Sequence, residues 1–377
     1  MKTVAVIYGG KSGEHEVSLI SASSVIRNID RKKFNIELIG ITKNGKWFLQ
    51  DSTELERILS DKDAVLKIVQ KEENALSVIP AGKNNCFSCR ARTLDVDIVF
   101  PVVHGTFCED GTLQGLLDMA EVAYVGCGCM SSALTMDKEK TKAVWKEAGL
   151  SVVPYILMTR AELNDSKKYD EIFSRAVSEL GFPLFVKPCN AGSSVGAGKA
   201  NSEKELSMAL MEAFLWDNKV LIEKAVNAKE IECSVTGIST CESPDNSCSV
   251  VKAYLPGEVL PTHDFYDYDA KYTDPDGAKL KIPAEITEEQ IAEIQQIAVK
   301  AYKAVDASGL SRVDFFVDKT NEKIYLNEIN TLPGFTSISM FPKMCEASGL
   351  KYSDLIELLL DEAVIRHSAR MQLQTSL

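Results

Sequence analysis

The chain has 377 residues, 45% of them apolar, and a net charge of −12. That length exceeds one compact core and calls for two or three domains, with apolar residues enough to fill them. The acidic balance argues against nucleic-acid or membrane-surface partners but leaves a small anionic substrate open, because local fields decide that.

TVAVIY reads as a strand ending in Gly9-Gly10. The short apolar run of this start, closed by glycines, suits a buried strand and not a signal peptide. EVSLISASSVIRNI is a helix with Leu19, Ala22, Ile26 and Ile29 on one stripe, and FNIELIGIT is the next strand. Residues 51–92 are polar and interrupted, a decorated insertion without assigned elements. VDIVFPVV is a strand followed by the loop HGTFCEDG, the helix TLQGLLDMAEV and the short strand VAYVG. This alternation predicts a doubly wound α/β domain with its site loops at the carboxyl ends of parallel strands.

SALTMDKEKTKAVWKEAGL predicts one helix with a glycine stop. GFPLFVKP is a strand, CNAGSSVGAG a glycine-rich loop, and Ser202 to Glu205 has capping-box spacing ahead of the helix LSMALMEAF. KVLIEKAV and EIECSVTGI are strands. THDFYDYDAKYTDPDGAKL has no core pattern. Thr287 to Gln290 caps an amphipathic helix, and KYSDLIELLLDEAVIRHSA is a final helix. No apolar run approaches the ~20 residues that span a bilayer, so a soluble, cytoplasmic protein is expected. The ten cysteines lack a second C-x-x-C pair to join Cys86 and Cys89, so they read as reduced core residues.

Between the last two helices, SRVDFFVDKTNEKIYLNEINTLPG forms a hairpin. Alternation puts Arg312, Asp314 and Phe316 on one face, and Leu326, Glu328 and Asn330 on one face of the returning strand. A turn near Asn321 sets Asp314 opposite Glu328. Facing carboxylates destabilise a sheet. A solvated face accounts for them; so does a divalent cation, since two carboxylates and an amide oxygen are hard ligands suited to Mg²⁺ bound with phosphates. The metal reading needs a nucleotide site elsewhere. FVKPCNAGSSVGAG supplies Lys187 and a Gly/Ser loop whose N–H groups and hydroxyls can wrap phosphates, although it is no Walker A loop and equally suits a hairpin connection. LIEKAVNAKEIE offers a strand edge to a base, with Glu230 for ribose hydroxyls. HGTFCEDG carries His104, Glu109 and Asp110 at a strand end, and Glu14 sits at a helix start.

The order of these features resembles the ATP-grasp superfamily, and within it the D-alanine–D-alanine ligase family. The resemblance runs from GGKSGEHEVSL through HGTFCEDGTLQG, MDK, VKPCNAGSSVG, DFYDYDAKY and SRVDFF to NEINTLPGFTS, nearly the whole chain. Cys108 departs from the family's glycine before Glu-Asp-Gly, which puts a turn with positive φ in question. The resemblance implies an ATP-grasp fold, α/β with α+β character in its later domains: 1–126 as a doubly wound N-terminal domain, 127–222 as a central subdomain, and 223–377 as a C-terminal subdomain carrying a lid at about 261–281.

It further implies ATP-dependent ligation of two D-alanines into D-alanyl-D-alanine, through a D-alanyl phosphate, for peptidoglycan precursors. Lys138, Lys187, Ser194 and Lys271 would meet ATP phosphates, Glu223, Lys224 and Val226 the adenine, and Glu230 the ribose. Asp314, Glu328 and Asn330 would hold two Mg²⁺, with Mn²⁺ as a substitute. Glu14 would bind the first D-alanine's ammonium beside His104, joined through Ser193 to Tyr272 of the lid. Arg312 and the Gly334 N–H would stabilise the oxyanion. Ser339 would meet the second substrate's carboxylate, with apolar Met340 next to it favouring D-alanine over D-serine. A homodimer is expected from the family. The alternatives are a D-alanine–D-serine ligase of glycopeptide resistance and a nucleotide-binding protein without turnover.

Overall fold

The computed structural model describes residues 1–239, 250–261 and 278–374. Within these, β1 (Lys2–Gly9), α1 (His15–Asn28), β2 (Phe34–Ile41), β3 (Trp47–Leu49), α2 (Ser52–Ser60), β4 (Ser77–Val78), β5 (Phe87–Ser88), β6 (Ile98–Val103), α3 (Thr112–Ala120) and β7 (Ala123–Tyr124) build the first unit. Its main sheet has the order β3-β2-β1-β6-β7, parallel except for β3. The strand order reverses between β1 and β6, so their carboxyl ends open the crevice expected of a doubly wound sheet. Gly9 ends β1 at φ +90, where a Cβ would collide with the Ile41 carbonyl, and this lets the chain turn into the crevice. The segment over 51–92 acquires elements that its polar sequence hid. Leu55, Ile58 and Leu66 enter one face of the core, and Cys86 and Phe87 the other.

The second stretch comprises α4 (Cys129–Met136), α5 (Lys138–Glu147), β8 (Tyr155–Thr159), α6 (Arg160–Leu163), α7 (Ser166–Arg175), β9 (Leu184–Pro188), β10 (Gly198–Ala200), α8 (Glu203–Trp216) and β11 (Lys219–Lys224). The antiparallel sheet β10-β9-β11-β8 buries Val186 and Ile222 against Leu206, Leu210 and Phe214 of α8. The single helix expected around MDKEK is two helices. Asp137 breaks it in extended conformation and caps α5, its carboxylate accepting from the Glu139 and Lys140 N–H groups. The capping box at Ser202 is half formed: Ser202 accepts from Glu205 N–H, but the Glu205 carboxylate turns to Asn201 instead of back to the cap.

The third stretch holds β12 (Ala228–Ile238), β13 (Lys252–Ala253), β14 (Gly257–Pro261), β15 (Ala278–Lys281), α9 (Glu288–Ala304), β16 (Ser308–Asp318), β17 (Ile324–Asn330), α10 (Met340–Ala347) and α11 (Tyr352–Met371). Its antiparallel sheet runs β15-β14-β12-β16-β17, with β13 on β12. The capping box on Thr287 is complete. Ile294, Ala298, Ala301 and Tyr302 of α9 pack on this sheet, and Trp145 of α5 joins them, donating to the Ala301 carbonyl at 3.0 Å. Helix α11 returns to the first unit: Leu355, Ile356 and Leu359 share a core with Val4, Val6 and Ile26.

The hairpin sets Asp314 opposite Glu328 and Arg312 opposite Asn330, as its alternation implies. The face assignment of Leu326 is corrected. A β-bulge between Asp314 and Phe315 leaves Phe315 opposite Leu326, so Asn327 is the extra residue. Leu326 is buried in the core with Ile324 and Ile329, while Asn327 and Glu328 both face the cleft. The strain anticipated at Cys108 falls elsewhere. Gly105, Phe107 and Gly111 take positive φ, and Asp110 supports the turn by accepting from the Phe107 and Thr112 N–H groups. Cys108 is buried against Gly10.

Candidate active site

A cavity of ≈ 280 Å³ lies between the sheet of the second stretch and that of the third. The β9–β10 loop covers one side. Lys187, at the end of β9, is held from two directions: it ion-pairs with Glu223 of β11 at 2.8 Å and donates to Asn327 Oδ1 at 2.9 Å. The bulge on β17 is what aims Asn327 at it. Glu223 is itself 2% exposed, with Lys142 of α5 on its other oxygen at 3.0 Å. Burial opposes the charge on Glu223, but the two lysines outweigh it and hold its pKa below the usual range. Burial also pushes the fully enclosed Lys142 down to about 8.

Lys138 begins α5, where the Asp137 cap fixes it. Its ammonium donates to the Ala191 carbonyl at 2.7 Å and lies 3.4 Å from Glu328. Ser194, Glu223, Lys224, Val226 and Glu230 all line the cavity. Ser193 and Ser194 adopt φ of 51 and 60, a left-handed conformation uncommon for serine. Ser193 spans to the first unit, its hydroxyl donating to Glu14 at 2.5 Å.

On the opposing sheet Arg312 grips Asp314 through two hydrogen bonds of 2.7 Å and lies 3.2 Å from Glu232. Burial disfavours its charge, yet Asp314 and Glu232 keep its pKa well above the ordinary range. Asp314 and Glu328 therefore face each other with Arg312 and Lys138 as their cations. Asn330 Oδ1 accepts from the Leu332 N–H at 2.9 Å, which turns the chain into the loop after β17. Among the described residues no cluster of three or more His, Cys, Asp or Glu forms a metal cage. The donors on the hairpin, two carboxylates and an amide oxygen, instead fit Mg²⁺ that takes its remaining oxygens from phosphate and water.

Beyond the hairpin, Gly334 leaves space that a Cβ would fill at 2.8 Å from Ser339 Oγ, and Ser339 accepts from the Thr336 N–H. Met340 follows at the start of α10. It packs with Val259 and Met344 and meets Gly257. His104, at the end of β6, is buried; its Nδ1 donates to the Leu332 carbonyl at 2.9 Å and lies 3.8 Å from Glu109. Nε2 has no partner among the described residues. Burial opposes protonation of His104, but Glu109 and Glu14 reverse the balance and raise its pKa. Burial raises that of Glu109.

Ser193 and Arg312 thus line the cavity, Ser193 ties it to Glu14 of the first unit, and His104 reaches from that unit to Leu332, two residues before Gly334. Lys271 and Tyr272 lie outside the described residues. Asn327, Glu232 and Lys142 escaped the sequence reading. For Lys142 a signal existed, since it follows Lys138 by four residues and so shares its helix face. Asn327 needs the bulge to be known first.

Two family models match the chain: "D-ala D-ala ligase N-terminus" over residues 3–127 and "D-ala D-ala ligase C-terminus" over 144–361. A D-alanine--D-alanine ligase of Treponema denticola is 54% identical over 373 residues, covering 99% of this chain and 98% of the relative. One from Acetivibrio thermocellus is 44% identical, with 98% of each covered. Among solved structures, the D-alanine-D-alanine ligase from Coxiella burnetii superposes with a TM-score of 0.81 at 33% identity, covering 99% of this chain and 98% of that one. The VanG D-Ala:D-Ser ligase from Enterococcus faecalis gives 0.80 at 38% identity, covering 96% and 99%.

Proposed function

Since the chain belongs to the D-alanine–D-alanine ligase family, we propose how its residues carry out the ATP-dependent joining of two D-alanines for cell-wall synthesis. A carboxylate is a poor electrophile because it is already anionic. Transfer of the γ-phosphoryl group of ATP to the first D-alanine gives D-alanyl phosphate and ADP. The amine of the second D-alanine attacks the carbonyl carbon, the tetrahedral oxyanion collapses, and phosphate leaves with the dipeptide formed. Little covalent chemistry falls to the protein, so positioning and charge stabilisation account for the rate.

Glu14 binds the ammonium of the first D-alanine, beside His104. Lys138, Lys187 and Ser194 hold the phosphates. The backbone edge of Glu223, Lys224 and Val226 meets the adenine, and Glu230 the ribose. Asp314, Glu328 and Asn330 would hold two Mg²⁺, which when bound would neutralise phosphate charge; Mn²⁺ would serve the same donors. Arg312 and the Gly334 N–H stabilise the oxyanion, and Ser339 takes the acceptor carboxylate. Lys271 and Tyr272 are assigned from the resemblance alone, as the phosphate contact and latch of a lid over about 261–281. The domain division 1–126, 127–222 and 223–377, a homodimer and a cytoplasmic location belong to the same proposal. Among the described residues no helix is long and apolar enough to cross a membrane.

The observation that carries this reading is the cavity where Asp314 and Glu328 face each other beside Lys138, Lys187 and Arg312. Met340, packed against apolar neighbours, has nothing to offer an acceptor hydroxyl. An apolar surface rejects a hydroxyl only weakly, by about 10²-fold, so minor D-serine use is expected; negligible D-lactate use is expected from the resemblance alone, in which a depsipeptide-forming relative lacks the lid tyrosine found here as Tyr272. The test is phosphate release with ATP, Mg²⁺ and single or paired D-amino acids, with products identified by mass. Mostly D-Ala-D-Ser from equal D-alanine and D-serine would reverse the acceptor assignment. ATP binding without D-alanine-dependent turnover would refute the catalytic reading.

A further inference from the structure

Lys142 is fully inaccessible and does not line the cavity; it sits behind it. Its ammonium ion-pairs with Glu223 Oε1 at 3.0 Å. The other Glu223 oxygen faces Lys187, which does line the cavity, at 2.8 Å. One carboxylate thus stands between a hidden ammonium and an exposed one.

The charge balance of the cavity gives this arrangement a purpose. Five cationic side chains and five carboxylates line it among the described residues, so the lining is neutral by itself. Lys138 faces Glu328, and Arg312 faces Asp314 and Glu232. If Glu223 were balanced by Lys187 alone, this third cation would be spent as well. A neutral lining of paired charges is a poor host for a polyphosphate. The lowered pKa of Lys142, caused first by burial and partly by Lys187, accords with two ammoniums sharing one anion.

We propose that Lys142 is a positioning residue that serves as the buried counter-charge of Glu223 and leaves the charge of Lys187 for the nucleotide polyphosphate. This rests on the nucleotide reading of the cavity and deepens it. Lys142 touches no substrate. It acts through Glu223, and Asn327 keeps the Lys187 ammonium in place while it does so.

The test compares the wild-type enzyme with K142M, E223Q and K142M/E223Q at pH 7, where Lys142 still carries its charge. Inorganic triphosphate, as a competitive inhibitor against ATP, isolates the phosphate part of recognition from the base. K142M should weaken triphosphate inhibition and raise KM for ATP by about tenfold, with kcat changed by less than about threefold. The double variant removes the anion together with its hidden partner, so Lys187 is again uncompensated. Triphosphate inhibition should return to within about threefold of wild type. Damage to packing alone would make the double variant no better than K142M, and that result would overturn the proposal. So would a K142M enzyme that binds triphosphate within about twofold of wild type. Should K142M fail to fold, the double variant still decides: its triphosphate inhibition is either near wild type, as proposed, or lost. Wild-type turnover that does not saturate with ATP would overturn the nucleotide reading itself, and needs no variant to be seen.

Discussion

A carboxyl group buried without a cation must keep its proton or cost stability. Glu362 on α11 is 2% exposed. It accepts from the Gly237 N–H, and its Oε2 has no hydrogen-bond partner among the described residues. Burial pushes its pKa up to about 9, against which the Gly237 hydrogen bond pulls down. Between the ordinary value of 4.5 and about 9, the folded chain therefore holds a proton that the unfolded chain has released. Stability from this group is full below that window and falls as pH rises through it. Glu362→Gln keeps the shape and does not titrate. The variant should gain Tm over wild type by little at pH 5 and by several degrees at pH 8.5. An equal gap at both pH values in thermal melts would refute the buried acid. Glu328 is the contrasting case, a carboxylate that lines the cavity and has Lys138 within 3.4 Å. Glu328→Gln should remove most Mg²⁺-dependent turnover and leave the melting curve within a few degrees of wild type; near-normal activity would remove Glu328 from the metal assignment.

The β9–β10 loop reaches another unit through the 2.5 Å bond from Ser193 to Glu14, and its two serines take left-handed φ. A hydrogen bond to a charged acceptor contributes about 1.5–3 kcal/mol. Ser193→Ala should therefore lower kcat/KM for D-alanine by about tenfold or more, and its effect should be strongly non-additive with Glu14→Gln. A double-mutant cycle that closes within about 0.5 kcal/mol would mean that the loop and Glu14 do not act together. The parts of this site that a reader of the sequence could find are those carried by periodicity. Arg312, Asp314 and Glu328 fell into register because VDFF and IYL alternate around an obvious turn. Asn327 did not, because one inserted residue changes neither composition nor turn chemistry, yet it turns Leu326 into the core and aims the amide at Lys187. The break at Asp137 was in principle legible, since an Asp ahead of a charged helical run is a cap signal. It was masked by apolar spacing that continues on both sides. Residues 51–92 were illegible because Leu55, Ile58 and Phe87 are buried by contacts with distant strands.

At the scale of the molecule, the crevice is made by units that meet only in the folded chain. Glu14 and His104 come from the first, Lys138 and Lys187 from the second, and Arg312, Asp314 and Glu328 from the third, while α11 ties the last back to the first sheet. A ligand that bridges these units binds the folded state and not the unfolded one. It should raise Tm by mass action, by about 2.7 kcal/mol of stability at a hundred times Kd. The sign of the metal's contribution follows from the lining. Without a cation, a polyphosphate placed beside Lys138 and Arg312 also meets Glu328 and Asp314, and the chain as a whole carries −12. Repulsion from the two carboxylates then cancels much of the attraction. With Mg²⁺ the same carboxylates become ligands and the repulsion turns to attraction. ATP with Mg²⁺ should therefore raise Tm by several degrees, while ATP with excess EDTA should raise it by a small fraction of that. The difference should shrink in Glu328→Gln, which lacks one of the two anions that repel the phosphate and ligate the ion. Equal stabilisation of the wild-type enzyme by ATP with and without chelator would show that Asp314 and Glu328 face each other for some reason other than a metal.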